Sequence, residues 1–360
     1  MTSTPQTAPP RTGLLLGVER SGSTWLSNLF DSAPDVETYM EPFARVAGII
    51  DGFPDRLDCF DKEDVEEWES LSARLDALSD LKYHGLEWPG APGWLRAANW
   101  MGHEWLNRAN TFLPGRVGSK IQAYSELNFN RRDNPAVQHF KTARHPRFRL
   151  FKLLRLNTKA RLIEKMFPEA TVTVIIRNPL AQCLSIVRRM DQGSLLELHD
   201  VFETLSDSLD RHPRLERFSR ALDTAPEDSR FSRAVAYWFV NYSILLQDLE
   251  PRDLDVQTVR YETLCEEPEE TTAEVFSHHG LTLGTQTRTY IAASTSGSFD
   301  AESATDTSRN SSTYYRRQLE QLSRETVDRF WEVSAPFWNL APEPVQHYET
   351  WLDRFIGPTR

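Results

Sequence analysis

Cysteine is scarce: Cys59, Cys183 and Cys265 are the only three in 360 residues. They are odd in number, far apart and in no Cys-x-x-Cys pair, which argues against a disulfide framework or a thiolate zinc site. Long apolar runs are missing too, and nothing approaches the ~20 residues of a membrane-crossing helix. Positive charge is in short supply, with 41 Lys and Arg against 52 Asp and Glu and a formal net charge of −11. That balance speaks against nucleic acid or an anionic membrane as a partner, since both need a basic face. The first residues, Met1–Thr12, are rich in Thr, Pro and Gln and lack the apolar stretch of a signal peptide. They are expected to be a disordered tail on a cytoplasmic protein.

What remains is ordinary for a globular chain: 39% hydrophobic and 26% charged residues, with a mean hydropathy of −0.51. The length allows one large α/β domain with insertions, or two smaller ones. Any anion site in so acidic a chain has to be a local basic focus.

That focus is expected at residues 14–26. The apolar run Leu14–Gly17 leads into Val18-Glu19-Arg20-Ser21-Gly22-Ser23-Thr24, and a helical pattern follows at Trp25, Leu26, Leu29 and Phe30. Strand, Gly-bearing turn and helix make an anion cradle, because the first N–H groups of a helix lack intrahelical partners and sit at its positive end. Gly17, four residues, Gly22 and the hydroxyl of Thr24 fit the spacing of the triphosphate loop. Where that loop needs Lys, however, this chain has Ser23, and its cation, Arg20, comes three residues earlier. A second departure lies at Thr171–Ile176, a β-branched run suited to a strand buried on both faces. Triphosphate enzymes often place a magnesium-binding Asp at such a strand end. Here Arg177-Asn178-Pro179 follows instead. A cation there binds a second anion and repels a metal, so the expected ligand carries two separated anionic groups and no metal is expected.

These residues resemble the sulfotransferases that use 3′-phosphoadenosine 5′-phosphosulfate (PAPS), which form a family with a P-loop-like fold. Arg20-Ser21-Gly22-Ser23-Thr24-Trp25-Leu26 is similar to the family's first signature, and Arg177 with Ser185 to its second. Phe167-Pro168-Glu169-Ala170, Arg260-Tyr261-Glu262-Thr263-Leu264 and Ser308-Arg309-Asn310 also look like family segments. Arg before Ser-Gly, together with Glu41-Pro42, resembles the carbohydrate-type and bacterial members. The resemblance implies PAPS as co-substrate and a hydroxylated acceptor, which would be a carbohydrate, glycolipid or small metabolite. It implies that Arg20, Ser21, Gly22, Ser23, Thr24 and Trp25 hold the phosphosulfate end, and that Arg177 and Ser185 clamp the 3′-phosphate. Tyr261 would touch the nucleotide and Arg309 would close over it. Trp25 and Tyr261 have a plainer alternative as buried core aromatics.

For catalysis the resemblance points to Glu41 as general base. Arg20 is the cation against the leaving phosphate. Lys152, interleaved with apolar residues in Phe151–Leu156, either reaches the donor or is only a strand-edge charge. His84, His103, His139 and His145 sit in no matching motif. Rival readings are a nucleoside-triphosphate enzyme such as a kinase, and a nucleotide-binding module without catalysis.

The expected architecture is a three-layer α/β sandwich with a central parallel sheet. The domain is expected over 13–340, with acceptor-side insertions at about 50–145 and 190–230 and an extension at 341–360. Five of the ten Trp fall between Trp68 and Trp105, where they could stack on sugars or simply pack. Strands are expected at Val117–Ile121, Leu150–Leu156, Thr171–Ile176 and Leu254–Arg260. Helices are expected at Thr158–Met166, Pro179–Met190, Phe231–Leu249 and Tyr314–Trp338. The Ser/Thr-rich Thr285–Ser312 reads as a mobile loop.

Overall fold

The computed structural model describes residues 10–40, 147–191 without 155–156, 161–162 and 165–166, 206–295 without 208 and 227–228, then 320 and 322–356. Five strands form one parallel sheet: β1 (Arg11–Gly17), β2 (Val36–Met40), β3 (Phe148–Leu153), β4 (Thr171–Ile176) and β5 (Asp255–Arg260). Their spatial order is β2-β3-β1-β4-β5. The helices are α1 (Ser23–Asp31), α2 (Pro179–Asp191), α3 (Glu216–Thr224), α4 (Arg230–Leu249), α5 (Tyr261–Glu266), α6 (Pro268–His278), α7 (Thr285–Thr295), α8 (Arg324–Trp338) and α9 (Glu343–Ile356).

Alternation along the strands divides the core in two. Leu14 and Leu16 of β1, with Val172, Val174 and Ile176 of β4, pack against α2, α4, α8 and α9. Leu15 and Ile175, one residue out of phase, pack against α1, α5, α6 and α7 on the opposite face. Both faces are covered, so the strands are apolar nearly throughout and the fold is a three-layer α/β sandwich. The stretch 341–360 supplies Val345, Tyr348 and Leu352 to the first core, all buried. Residues Pro213–Thr224, within the expected 190–230 insertion, likewise send Leu215, Phe218 and Leu222 into it.

Three expectations need correction. Arg11 and Thr12, expected in a disordered tail, belong to β1, which begins at Arg11 and pairs with Phe148. Thr285–Thr295 is a helix rather than a loop, and its Tyr290 and Ile291 are buried in the second core. The penultimate helix starts at Arg324, capped by Ser323 accepting from the Thr326 N–H, and Leu322 and Ser323 before it are not helical. β2, at Val36–Met40, went unread. The expected strand Val117–Ile121 and the Trp68–Trp105 stretch lie outside the described residues.

Candidate active site at the carboxyl edge of the sheet

Strand order reverses around β1, whose neighbours β3 and β4 come from a distant part of the chain. Ligands of open α/β sheets bind at such a switch point, beyond the strands' carboxyl ends. Register brings the site residues there. Lys152 of β3 pairs with Leu15, Gly17 pairs with Ile175, and Arg177 follows directly on β4. Tyr261 opens α5 directly after β5.

The loop between β1 and α1 turns through two positive φ angles, 68° at Arg20 and 93° at Gly22. Gly22 is the helix cap and makes no side-chain capping bond to the first turn. Those N–H groups are therefore directed at whatever anion arrives. Gly22 is also required sterically, since a Cβ there would lie 2.2 Å from Tyr261 Cδ2.

Around this turn stand three cations. Arg20 Nε donates to Ser185 Oγ at 3.0 Å. Arg177 Nη1 donates to the Arg20 carbonyl at 3.0 Å, and its guanidinium lies 4.7 Å from the centre of the Tyr261 ring. Lys152 Nζ, buried to 4% exposure, donates to Thr24 Oγ1 at 3.2 Å. The two motifs picked from the sequence thus touch, and Lys152 joins them rather than pointing off a strand edge. Trp25 is buried edge-on to Tyr261, with its indole N–H donating to Ser294 Oγ at 3.2 Å. Ser21 and Ser23 are buried in the turn. Glu41, Arg309 and the four His considered above lie outside the described residues.

Behind the cations is a layer that sequence reading did not find. Asn178 caps α2, its Oδ1 accepting from the Ala181 N–H with Pro179 between them. The Asn178 N–H donates to Glu262 Oε1 at 2.9 Å, and the Tyr348 hydroxyl donates to Glu262 Oε2 at 2.7 Å. Burial pushes the Glu262 carboxyl above its usual range, opposed by these bonds and by Arg177. Gln182 donates to the carbonyls of Val18 and Glu19 and accepts from Trp238 Nε1. Asn157 donates to the Gly17 carbonyl at 3.0 Å. One signal for this layer was available. A helix apolar on all sides, like 230–249, buries any Tyr it carries, and a buried Tyr hydroxyl has to find a partner.

The arrangement gathers Lys152 at the start of α1 and Arg177 and Ser185 around Arg20, a basic cluster suited to anionic groups. Among the described residues no cluster of His, Cys, Asp or Glu could hold a metal. None of their helices is long and apolar enough to cross a membrane. Cys183 and Cys265 are both buried.

Comparison with known proteins agrees with this chemistry. Residues 14–230 match the model of the sulfotransferase family. Solved structures similar to the chain include three sulfotransferases. One is a domain from the curacin biosynthetic pathway, with 14% identity over 84% of this chain and 83% of that one, TM-score 0.39. A second is a domain of the Synechococcus PCC 7002 olefin synthase, with 15% identity over 91% and 95%, TM-score 0.40. The third is STF9 from Mycobacterium avium, with 14% identity over 92% and 77%, TM-score 0.40. A comparison with curated proteins finds no match. The family match spans most of the chain, from the first strand through the loop, Lys152, Arg177 and Ser185, and the chain belongs to the sulfotransferase family.

Proposed function

We propose that this enzyme transfers the sulfuryl group of PAPS to a hydroxyl of a carbohydrate, glycolipid or small metabolite. The observation that carries the reading is the Arg177–Arg20 hydrogen bond, which ties two cationic anion sites into one rigid cluster. A ligand with a 5′-phosphosulfate and a separate 3′-phosphate matches two such sites, and a triphosphate on one ribose position does not.

In this reading the N–H groups of Gly22, Ser23 and Thr24 and the Thr24 hydroxyl hold the phosphosulfate, while the Ser21 N–H braces the turn by donating to the Val18 carbonyl at 3.2 Å. Lys152, already at Thr24, and Arg20 neutralise charge where the bond to sulfur breaks. Arg177 and Ser185 hold the 3′-phosphate, Tyr261 backs Arg177, and Arg309 closes over the nucleotide. Trp25 borders the adenine side while anchored to α7. The donor supplies an activated sulfuryl group. The chain's own task is to align an acceptor oxygen with it, exclude water, and remove the hydroxyl proton. Glu41, just past β2, is the proposed base.

The test is thermal stabilisation, which follows affinity for the folded state. The product nucleotide, 3′-phosphoadenosine 5′-phosphate, should raise Tm without added metal, and ATP with magnesium should do much less. Equal or better stabilisation by ATP–magnesium would discard the reading. Screening hydroxylated acceptors with labelled PAPS then identifies the second substrate.

A further inference from the structure

Among the described non-glycine residues, only Arg20 has a positive φ. A side chain in that region is strained, and the conformation persists only where the surroundings impose it. They do so one group at a time. The Val18 N–H donates to the Tyr242 hydroxyl at 3.2 Å, which in turn donates to the Ile175 carbonyl at 2.8 Å. Gln182 Nε2 holds the Glu19 carbonyl at 2.7 Å. The Glu19 side chain is tied as well, its Oε2 accepting from the Tyr237 hydroxyl at 2.9 Å. Tyr237 and Tyr242 belong to α4, which begins at Arg230, where the family match ends.

We propose that Tyr237 is a positioning residue that keeps the Glu19 carboxylate turned onto α4 and so off the Arg20 guanidinium. Glu19 places a negative charge one residue from the cradle's own cation. Untethered, that carboxylate could swing toward Arg20 and compete with the donor's phosphate for its guanidinium. Held by Tyr237 from its side chain and by Gln182 from its carbonyl, Glu19 presents a fixed peptide plane to Arg20. The Arg20 side chain then reaches Ser185 on α2 instead of its acidic neighbour. The inference rests on the sulfotransferase reading above, and it adds that the charge next to the cradle is managed from α4.

The experiment is calorimetric titration of 3′-phosphoadenosine 5′-phosphate into the wild-type chain, Tyr237→Phe, Glu19→Gln and the double variant. Tyr237→Phe frees the carboxylate and should weaken binding about tenfold, the scale of losing a hydrogen bond to a charged group. Adding Glu19→Gln removes the competing charge and should restore most of that loss. Glu19→Gln alone can still accept the Tyr237 bond and should bind at least as well as wild type. A merely structural Tyr237 gives the opposite pattern, with the double variant as weak as Tyr237→Phe or weaker, and that result overturns the proposal. So does unchanged affinity in Tyr237→Phe. Should Tyr237→Phe fail to fold, Glu19→Gln decides alone: clearly weaker binding than wild type sinks the idea. A wild-type chain that does not bind this nucleotide overturns the sulfotransferase reading and the inference together.

Discussion

The two ends of the sheet are built from the same strands and use their polar groups in opposite ways. At the amino end, His279 is buried between Phe30 and Phe148, and both its nitrogens are hydrogen-bonded to hydroxyls of β4, to Thr171 and, at 2.8 Å, to Thr173. Polar atoms there satisfy one another and the end is sealed by aromatic rings. At the carboxyl end the backbone is bent through Arg20 and Gly22, cations converge on it, and the helix start carries no side-chain cap. Each end even has its crowded glycine, Gly13 under Phe148 and Gly22 under Tyr261. One edge is organised to be finished by the chain itself, the other to be finished by a ligand.

The comparison can be broken most severely at Lys152. Its side chain is buried beside Thr24, and if it neutralises developing charge as proposed, Lys152→Met should lower turnover by ~10²–10³-fold with the fold intact. Near-normal turnover, alongside an unchanged circular dichroism spectrum, removes it from the chemistry. The paired glycines come next. Gly22→Ala forces an L side chain to φ 93° and against Tyr261, and should cost about 2–4 kcal/mol of stability together with nucleotide binding. Gly13→Ala meets Phe148 Cζ at 2.3 Å and should cost about 1–3 kcal/mol while leaving nucleotide affinity untouched. Denaturant melts and nucleotide titrations on both variants test this, and equal effects on affinity would erase the distinction between the ends.

Arg177→Ala should remove about 1.5–3 kcal/mol of nucleotide binding, the worth of a charge-assisted bond. It should also abolish the preference for 3′-phosphoadenosine 5′-phosphate over adenosine 5′-phosphate. A weaker variant that keeps the wild-type preference would show that the 3′-phosphate sits elsewhere.

The last test belongs to the amino end. Burial, then the neighbouring His278 and Arg11, lower the His279 pKa from 6.5 to about 3. The unfolded chain takes up a proton near pH 6.5, and the folded chain resists until about pH 3. Stability from the neutral ring is therefore complete above about pH 6.5 and falls as pH drops toward 3, by at most ~1.4 kcal/mol per unit. Unfolding curves between pH 7.5 and 5 should be shallower in pH dependence for His279→Gln, and identical slopes would contradict the assignment.

How much of this was legible differs between the same two ends. The cradle and β4 were readable because each is a local pattern, a turn of fixed spacing or a run of β-branched residues. Even there, the sequence did not say that Arg177 would donate to the Arg20 carbonyl, a contact that exists only once β1 and β4 lie side by side. The amino end was invisible for the same reason, since His279 meets Thr171 and Thr173 only through the packing of α6 on the sheet. Thr285–Thr295 misled because Ser and Thr favour loops in isolation, while burial of Tyr290 and Ile291 pays for the helix here. β2 was missed because Val36-Glu37-Thr38-Tyr39-Met40 is short and mixes polar with apolar, as an outer strand of the sheet can.

The position of β1 has a further consequence, for how the chain is made. As it leaves the ribosome, the apolar Leu14-Leu15-Leu16 segment emerges before both of its neighbours: its β3 side has no partner until Phe148 follows, and its β4 side none until Thr171. Both flanks of the central strand thus stay open through much of synthesis, since parallel pairing waits on long-range closure. The cradle's bend, which leans on Gln182, Tyr237 and Tyr242, is completed later still. Birth of the chain is when this strand is most exposed to wrong pairing, and a nascent-chain chaperone would matter most in that interval.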